Sequence, residues 1–439
     1  MAANQPNLLV ESKREPSSST AGQHALAESP TNDARFRTIT ELIRARAREP
    51  VWKDRPILFY PSSGTFYVHY TPKDIDEFAD KAASFYAMRI PKRRDSTDPA
   101  QVVALLGSST LSYFITLLAL SRLGHTVLFL SPRVSEEAHI SLLRDTGASV
   151  MLVEESLTQV SESVQNAMPG LKVCRLRSLE DITFLAPATE GVSMQLDPVQ
   201  ETHTIAYIIH SSGSTTLPRL NPITHVAALG NSRSSVRLGG FVTLPLYHMW
   251  GLGCVFRGIM NRKRVYMYNA QLPLSAQHLA STLDQHRDIQ VLYTVPYALK
   301  LVTESQQHVE RLVRLEAVMV GGSACPKPVG DMLAQAGVML VTHLGSTETG
   351  QLMSSARPRE DILEWDWLRP SEALLPYLHM EPQEDQEDVY EMVVLDGWPS
   401  KVVSNRPNGS YATKDLYERH PDWPRKNAWR YYALSLIHI

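Results

Sequence analysis

The alternation that begins at Gln101 constrains this chain more than any other feature. Residues 102–106, 126–130 and 149–153 are short apolar runs, and residues 111–123 and 135–146 between them have the length and periodicity of amphipathic helices. Strand, helix, strand, helix, strand at this spacing predicts right-handed crossovers and a parallel sheet. Another such unit surrounds Phe241 to Pro245, and a further series runs through 289–294, 317–320 and 338–342. Upstream, Phe36, Ile39, Leu42 and Ile43 recur at helical spacing, with the Arg44 to Arg48 run read as the helix's wet face. Residues 57–60 and 65–70 flank Pro61-Ser62-Ser63-Gly64 and read as a hairpin. Thr71-Pro72-Lys73-Asp74 combines an N-cap threonine, a proline at the first helical position and an acid in the first turn, so a helix is predicted to begin there.

These elements imply an organisation. Residues 1–34 carry too few large apolar groups to offset the entropy of ordering and are expected to form a disordered tail. Residues 35–350 should be α/β, with mainly parallel sheets in stacked subdomains. Residues 351–432, where short strand-like pieces such as 389–395 replace helical periodicity, should form a smaller β-rich subdomain. At 439 residues the chain can bury sizeable cores. A net charge of -3 with no long basic block argues against nucleic acid or an anionic membrane as partner. No apolar stretch is long enough to span a bilayer and no secretory signal precedes the fold, so a cytoplasmic protein is expected. Cys174, Cys254 and Cys325 lie far apart, which argues against disulfides or a zinc site and leaves them as packing residues.

Five segments carry candidate chemistry. In Ile208-Ile209-His210-Ser211-Ser212-Gly213-Ser214-Thr215-Thr216-Leu217-Pro218-Arg219 an apolar run opens into a hydroxyl-rich turn. Its hydroxyls and closely spaced N–H groups can donate to phosphate oxygens, Gly213 lets the backbone approach, and Arg219 adds fixed charge. Alone, such a turn is more often a solvated loop. Leu244-Pro245-Leu246-Tyr247-His248-Met249-Trp250-Gly251 places a histidine between aromatics just past a strand, where parallel sheets bind ligands. Val320-Gly321-Gly322-Ser323-Ala324-Cys325 lacks the second glycine of a nucleophile elbow, which sets aside a serine hydrolase. His343-Leu344-Gly345-Ser346-Thr347-Glu348 supplies hydroxyls and one carboxylate, the kind of ligand Mg²⁺ takes alongside substrate phosphates. In Tyr411-Ala412-Thr413-Lys414-Asp415, the carboxylate of Asp415 can accept from two sugar hydroxyls. No Gly-Lys-Ser/Thr of a P-loop and no G-x-G-x-x-G is present.

The order of these segments, separated by α/β units, resembles the acyl-adenylate-forming (AMP-binding) superfamily over roughly residues 36 to 432. Ser131-Pro132-Arg133 and Tyr411-Ala412-Thr413-Lys414-Asp415-Leu416, together with His420-Pro421 and Trp429-Arg430-Tyr431, look especially like the adenylation domain of fungal peptide-synthetase-like carboxylic acid reductases, in which a phosphopantetheine carrier and an NADPH-dependent reductase follow. The resemblance implies ATP-dependent activation of a small carboxylic acid as acyl-AMP, with ATP and Mg²⁺ required and a carrier pantetheine or coenzyme A thiol as acceptor. It implies that Ser211, Ser212, Gly213, Ser214, Thr215 and Arg219 hold the β and γ phosphates. Thr347 would contact the α-phosphate, with Gly345 and Ser346 beside it, and Glu348 would hold Mg²⁺. Gly322 and Ser323 would line the adenine slot, Asp415 would bind ribose, and His248 would face the acyl carboxylate. Amino-acid-activating relatives usually carry an aspartate at the histidine turn. Leu246-Tyr247-His248 has none, so an aryl or other non-amino acid is expected.

Three departures from the family pattern stand out. Thr216 replaces the usual glycine of the phosphate loop, and Leu344 replaces the aromatic that stacks on adenine, so weaker ATP binding is expected. The chain stops soon after Tyr432, before the family's hinge and lysine-bearing subdomain, and residues 433–439 have no family counterpart. Loss of one transition-state contact costs about 10²–10³ in rate, so this chain is expected to adenylate poorly. A catalytically inactive nucleotide- or acyl-binding module and a fragment of an acyl-CoA ligase stay open as alternatives.

Overall fold

The computed structural model describes residues 36–187, 196–211, 218–233, 236–384, 386–423 and 425–434. The expected tail and residues 212–217 of the phosphate turn, Thr216 included, lie outside the described residues.

Two sheets organise the α/β part. One has six strands in the spatial order Lys172–Arg175, Val150–Val153, Val102–Leu106, Thr126–Leu130, Ile205–His210 and Leu220–Thr224. All its pairings are parallel except the last, which is antiparallel. The alternation read from Gln101 is therefore present as strand and crossover. The helix Leu111–Arg122 is buried on every side, because it packs within the core rather than on the surface.

The second sheet has thirteen strands. Its middle is parallel, running from Leu58–Ser63 through Val265–Met267, Gly240–Val242, Val291–Thr294 and Ala317–Gly321 to Leu340–Ser346. Phe66–Tyr70 closes one edge as the expected hairpin partner of Leu58–Ser63. The first strand of that hairpin continues through Pro61, where the sequence predicts the turn. Proline is tolerated there because the pairing is bulged between Pro61 and Ser63, and the turn narrows to Gly64 at φ +53°. Beyond Leu340–Ser346 the pairing turns antiparallel through Gly350–Ser354, Trp367–Pro370, Trp429–Leu434, Tyr411–Arg419, Val389–Val394 and Leu378–Pro382. This β-rich region packs round its own cluster of Leu352, Met353, Met392, Tyr417 and Trp429.

Local chemistry explains the helix ends. The Thr71 hydroxyl accepts from the Asp74 N–H at 3.1 Å, and the Asp74 carboxylate accepts from the Thr71 N–H at 2.8 Å, a reciprocal cap. The helix Ile39–Arg48 departs from the expected wet face at Arg46 and Ala47, both of which are buried. Arg46 is buried rather than wet, donating from Nε to the Ile259 carbonyl at 3.1 Å and from Nη2 to that of Met260 at 2.6 Å. These carbonyls end the helix Met249–Asn261, where a cation also meets the negative end of the helix dipole.

That helix positions the site. It starts directly on the turn after Gly240–Val242, so closely that a Cβ on Gly251 would lie 2.2 Å from the Pro245 carbonyl oxygen. Backbone on the other side of such a contact cannot yield as a side-chain end can. Gly251→Ala is expected to destabilise the protein by about 2 kcal/mol or more, read as a lowered urea midpoint at unchanged slope.

Candidate active site

Strand ends converge on one cleft of about 540 Å³. His210 closes Ile205–His210, Val295 follows Val291–Thr294, Gly322 and Ser323 follow Ala317–Gly321, and Gly345 to Glu348 lie at the end of Leu340–Ser346. The carboxyl ends of parallel strands expose unpaired backbone groups and helix N-termini, which is why ligands bind there. Gly322 adopts φ +81°, a conformation that costs a side-chain-bearing residue about 1–2 kcal/mol, and it lets the chain leave the strand sharply.

The two ends of the hydroxyl-rich turn are clamped together. The Ser211 N–H donates to the Arg219 carbonyl at 2.9 Å, and the Arg219 N–H donates to the Ser211 hydroxyl at 2.9 Å. Ser212, Gly213, Ser214 and Thr215 lie between them, outside the described residues. Ser211 lines the strand-end cleft, whereas Arg219 lines a second cleft of about 800 Å³ with Asn221, Tyr411 and Lys414. Glu348 lines both. Its carbonyl accepts from the Val402 N–H at 2.8 Å, which ties this residue to the β-rich region.

Histidines build one wall. His210 Nε2 accepts from the Ser131 N–H at 3.1 Å, so Nδ1 carries the proton and donates to the Ser211 carbonyl at 3.0 Å. Nε2 of His139 in turn donates to the Ser131 carbonyl at 2.9 Å. His248 occupies the N-cap position of Met249–Asn261 without a capping side-chain bond, leaving its ring to the cleft. Burial, with His210 and Arg133 nearby, pushes its pKa down to about 4. His343 stacks on Trp250 with ring centroids 4.8 Å apart and planes 5° apart, and burial pushes it too to about 4, with the Arg257 charge adding to the effect.

The β-rich region supplies the other side. Tyr411, Ala412 and Lys414 line the second cleft, while Asp415 sits one residue further along and is largely buried. Burial, with the Glu391 charge beside it, raises the Asp415 carboxyl to about 6. Lys414 is held at φ +64° within a bulge, its N–H donating to Glu391 at 3.1 Å while the Thr413 hydroxyl donates to the Met392 carbonyl at 2.9 Å. Leu344 packs against the β-rich cluster rather than lining either cleft.

Among the sequence-predicted residues, the structure thus gathers Ser211, His248, Gly322, Ser323, Gly345, Ser346, Thr347 and Glu348 round one cleft and Arg219 round the adjoining one, while Asp415 lines neither and is represented there by its neighbours Tyr411, Ala412 and Lys414. Sequence reasoning gave no role to Asn231, Gly253, Arg257 or the His343 ring, all of which line the first cleft. One signal was present: Arg257 is the single charged residue in the helix Met249–Asn261, at seven residues from Trp250 and so on the same face.

With this geometry in place, comparison with known proteins gives the class. The profile of the family described as AMP-binding enzyme matches residues 45–382, and the chain belongs to that family. It is 29% identical over 355 residues to an adenylate-forming reductase, Nps10, of Heterobasidion annosum, a match covering 74% of this chain and 31% of that protein. It is 28% identical over 304 residues to a non-canonical non-ribosomal peptide synthetase, ascB, of Acremonium egyptiacum, covering 66% of this chain and 28% of the other. The chain therefore spans about a third of the length of these relatives. Its fold is that of o-succinylbenzoate coenzyme A synthetase from Bacillus subtilis in complex with AMP, at TM-score 0.68 and 17% identity, covering 94% of this chain and 100% of the other. Among the described residues no helix is long and apolar enough to cross a membrane.

Two outcomes follow from the electrostatics. His225, His248 and His343 each have a native pKa of about 4, below the unfolded value, so the unfolded chain binds more protons between the two. Their contribution is fully present above the unfolded pKa and is lost as pH falls toward 4, by about 2 kcal/mol per histidine between pH 6.5 and 5. Urea midpoints should fall across that window, and His343→Gln should flatten the fall. Asp415 acts in the opposite sense: its native pKa is raised, so its contribution is present at low pH and lost as pH rises through about 6. Lys414→Gly should raise stability by about 0.5–1 kcal/mol in the same assay, because only glycine adopts φ +64° without strain.

Proposed function

We propose that the two clefts bind ATP and a non-amino, aryl-type carboxylic acid and join them as an acyl-adenylate. The observation that carries the reading is Glu348, a carboxylate at the junction of two clefts, beside the clamped ends of a hydroxyl-rich turn. In the reaction, an oxygen of the acid's carboxylate attacks the α-phosphorus of ATP, the bond to the β-phosphate oxygen breaks, and pyrophosphate leaves. The chemistry asks the protein mainly for positioning and charge neutralisation. Ser211 and Arg219, with residues 212–215, hold the leaving phosphates. Thr347 and Ser346 face the α-phosphate, Gly322 and Ser323 the adenine, and Asp415 the ribose.

The donors present fit Mg²⁺ carried by nucleotide rather than by a protein cage. Among the described residues no cluster of three metal-ligating side chains exists, while Glu348 supplies the one carboxylate that a phosphate-bound Mg²⁺ takes. When bound, Mg²⁺ would neutralise phosphate charge.

His248, held neutral by burial, offers a hydrogen bond to the acid's carboxylate without a competing positive charge. Glu348 is the single carboxylate among the described residues lining the strand-end cleft, so no acid there is left to pair with a substrate ammonium. Trp250, Leu244, Val295 and the His343 ring instead offer apolar and aromatic walls. The name of the Heterobasidion relative, an adenylate-forming reductase, supports adenylation as the shared step, and an anthranilate CoA ligase of the same fold was solved with anthranoyl-AMP, an aryl adenylate. The acyl acceptor is a pantetheine thiol of a carrier domain or of coenzyme A.

Calorimetric titration tests the reading. AMP and ATP should bind saturably, and Mg²⁺ should tighten ATP but not AMP. Glu348→Gln should remove most of that Mg²⁺ effect, roughly tenfold in affinity, and leave AMP binding intact. Pyrophosphate exchange by this chain should be weak, and what is seen should depend on benzoate-type acids and not on amino acids. Absence of any AMP or ATP binding at millimolar concentration overturns the reading.

A further inference from the structure

Five arginines in the described residues are buried, and Arg257 differs from the other four. Arg46 pairs with Glu49, Arg93 with Glu201, and Arg122 with Asp76 and Asp80. Arg357 donates to four backbone carbonyls, those of Leu340, Ser355, Asp361 and Ile362. Arg257, only 4% exposed, has no carboxylate partner among the described residues. Its Nη2 donates to the Asn231 carbonyl at 3.3 Å and to Gln351 Oε1 at 3.0 Å, its Nη1 meets Cys254 Sγ at 4.0 Å, and its Nε has no partner. A buried guanidinium facing only neutral groups is costly unless something else supplies negative charge.

The cleft leads to it. Trp250, Gly253 and Arg257 lie at i, i+3 and i+7 on Met249–Asn261, one stripe of the helix, and all three line the strand-end cleft. Gly253 is the gap in that stripe, for a Cβ there would meet nothing within 4 Å. Arg257 lies about 6 Å along the axis beyond that gap, and about 13 Å beyond His248 at the helix start. Two more buried nitrogens on the same cleft, Trp250 Nε1 and His343 Nε2, also lack partners. Arg257 thus borders the cleft at the end of the stripe away from His248, with Trp250 nearer the helix start and the Gly253 gap between them.

We propose that Arg257 selects the substrate: the acid carries a second anionic oxygen group on its ring, distal to the carboxylate that reacts, and this group pairs with Arg257 across the space above Gly253. The proposal rests on the acyl-adenylate reading and names the substrate class within it. The Asn231 carbonyl and Gln351 Oε1, which accept from Nη2, hold the guanidinium in place. A para-dicarboxylate is the simplest acid of this kind, because its two acidic groups lie at opposite ends of one ring. Another cavity, about 380 Å³ and lined by Arg93 and Arg122, gives the contrast, since both of those cations already have carboxylate partners.

A matched set of probes tests this on the full chain: the sulfamoyl-adenosine mimics of benzoyl-AMP, of its 4-carboxy derivative and of the neutral 4-carboxamide, titrated alongside AMP. The 4-carboxy compound should bind at least about tenfold tighter than the benzoyl and carboxamide compounds, the range expected for hydrogen bonds to a charged group. In Arg257→Met that preference should vanish, and Arg257→Lys should restore part of it. Gly253→Leu should weaken all three aryl compounds, with AMP affinity serving as the control for an intact fold. If the benzoyl mimic binds and the 4-carboxy compound binds no better, the Arg257 proposal fails while the adenylation reading stands. If neither they nor AMP bind, the adenylation reading itself fails. The comparison of the three probes on the unsubstituted protein needs no variant, so a variant that does not fold leaves the test intact.

Discussion

The close approach of the helix Met249–Asn261 to the strand ends of the large sheet is the contact on which the rest depends. Gly251 admits the Pro245 carbonyl, and Gly321 admits the His343 carbonyl at 2.6 Å from where a Cβ would stand, with Trp250 against its other side. Because main chain meets main chain there, the helix has no freedom to shift by even a methyl group. Its first turn then presents His248 and Trp250 to the cleft, its middle presents Gly253 and Arg257, and its last carbonyls are held by Arg46 from the helix Ile39–Arg48. One element thereby contributes to the strand-end cleft from its first turn to its middle and is tied at its end to the helix Ile39–Arg48.

Electrostatics divides the cleft into zones. Near the helix start, burial keeps His248 neutral and His210 is locked as a neutral tautomer by the Ser131 N–H, so a carboxylate there meets hydrogen-bonding groups. At the junction, Glu348 and Arg219 place one charge of each sign beside the clamped turn. At the far end Arg257 brings a guanidinium with no carboxylate partner among the described residues. A neutral zone and a cationic zone in one space give a ligand direction as well as affinity.

Much of the fold was legible because its signals are local. The reciprocal cap at Thr71 and Asp74, the hairpin and the alternation from Gln101 rest on residues within a few positions of one another, and each is present. Arg46 was read as wet because its neighbours Arg44 and Arg48 are polar, yet the carbonyls it serves are over two hundred positions away. Pro61 was read as turn because proline breaks a ladder, and only the bulge in the paired register shows how it is accommodated. The order of the hydroxyl-rich, histidine and Ser-Thr-Glu segments pointed to the family, while nothing local marked Asn231 or His343 as parts of the same wall.

By itself, then, the sequence determined the elements, the family to which the profile over residues 45–382 assigns the chain, and the absence of an acid from the Leu246-Tyr247-His248 turn. Periodicity, capping and motif order are properties of neighbouring residues, and those survive in one dimension. Only the tertiary structure decided that Glu348 stands between two clefts, that the ends of the turn at Ser211 and Arg219 are pinned together, and that Arg257 is buried without a carboxylate partner among the described residues. Burial and charge pairing depend on what other elements bring near a residue, and an arginine on an apolar helix reads the same in sequence whether an aspartate or an empty cleft lies opposite.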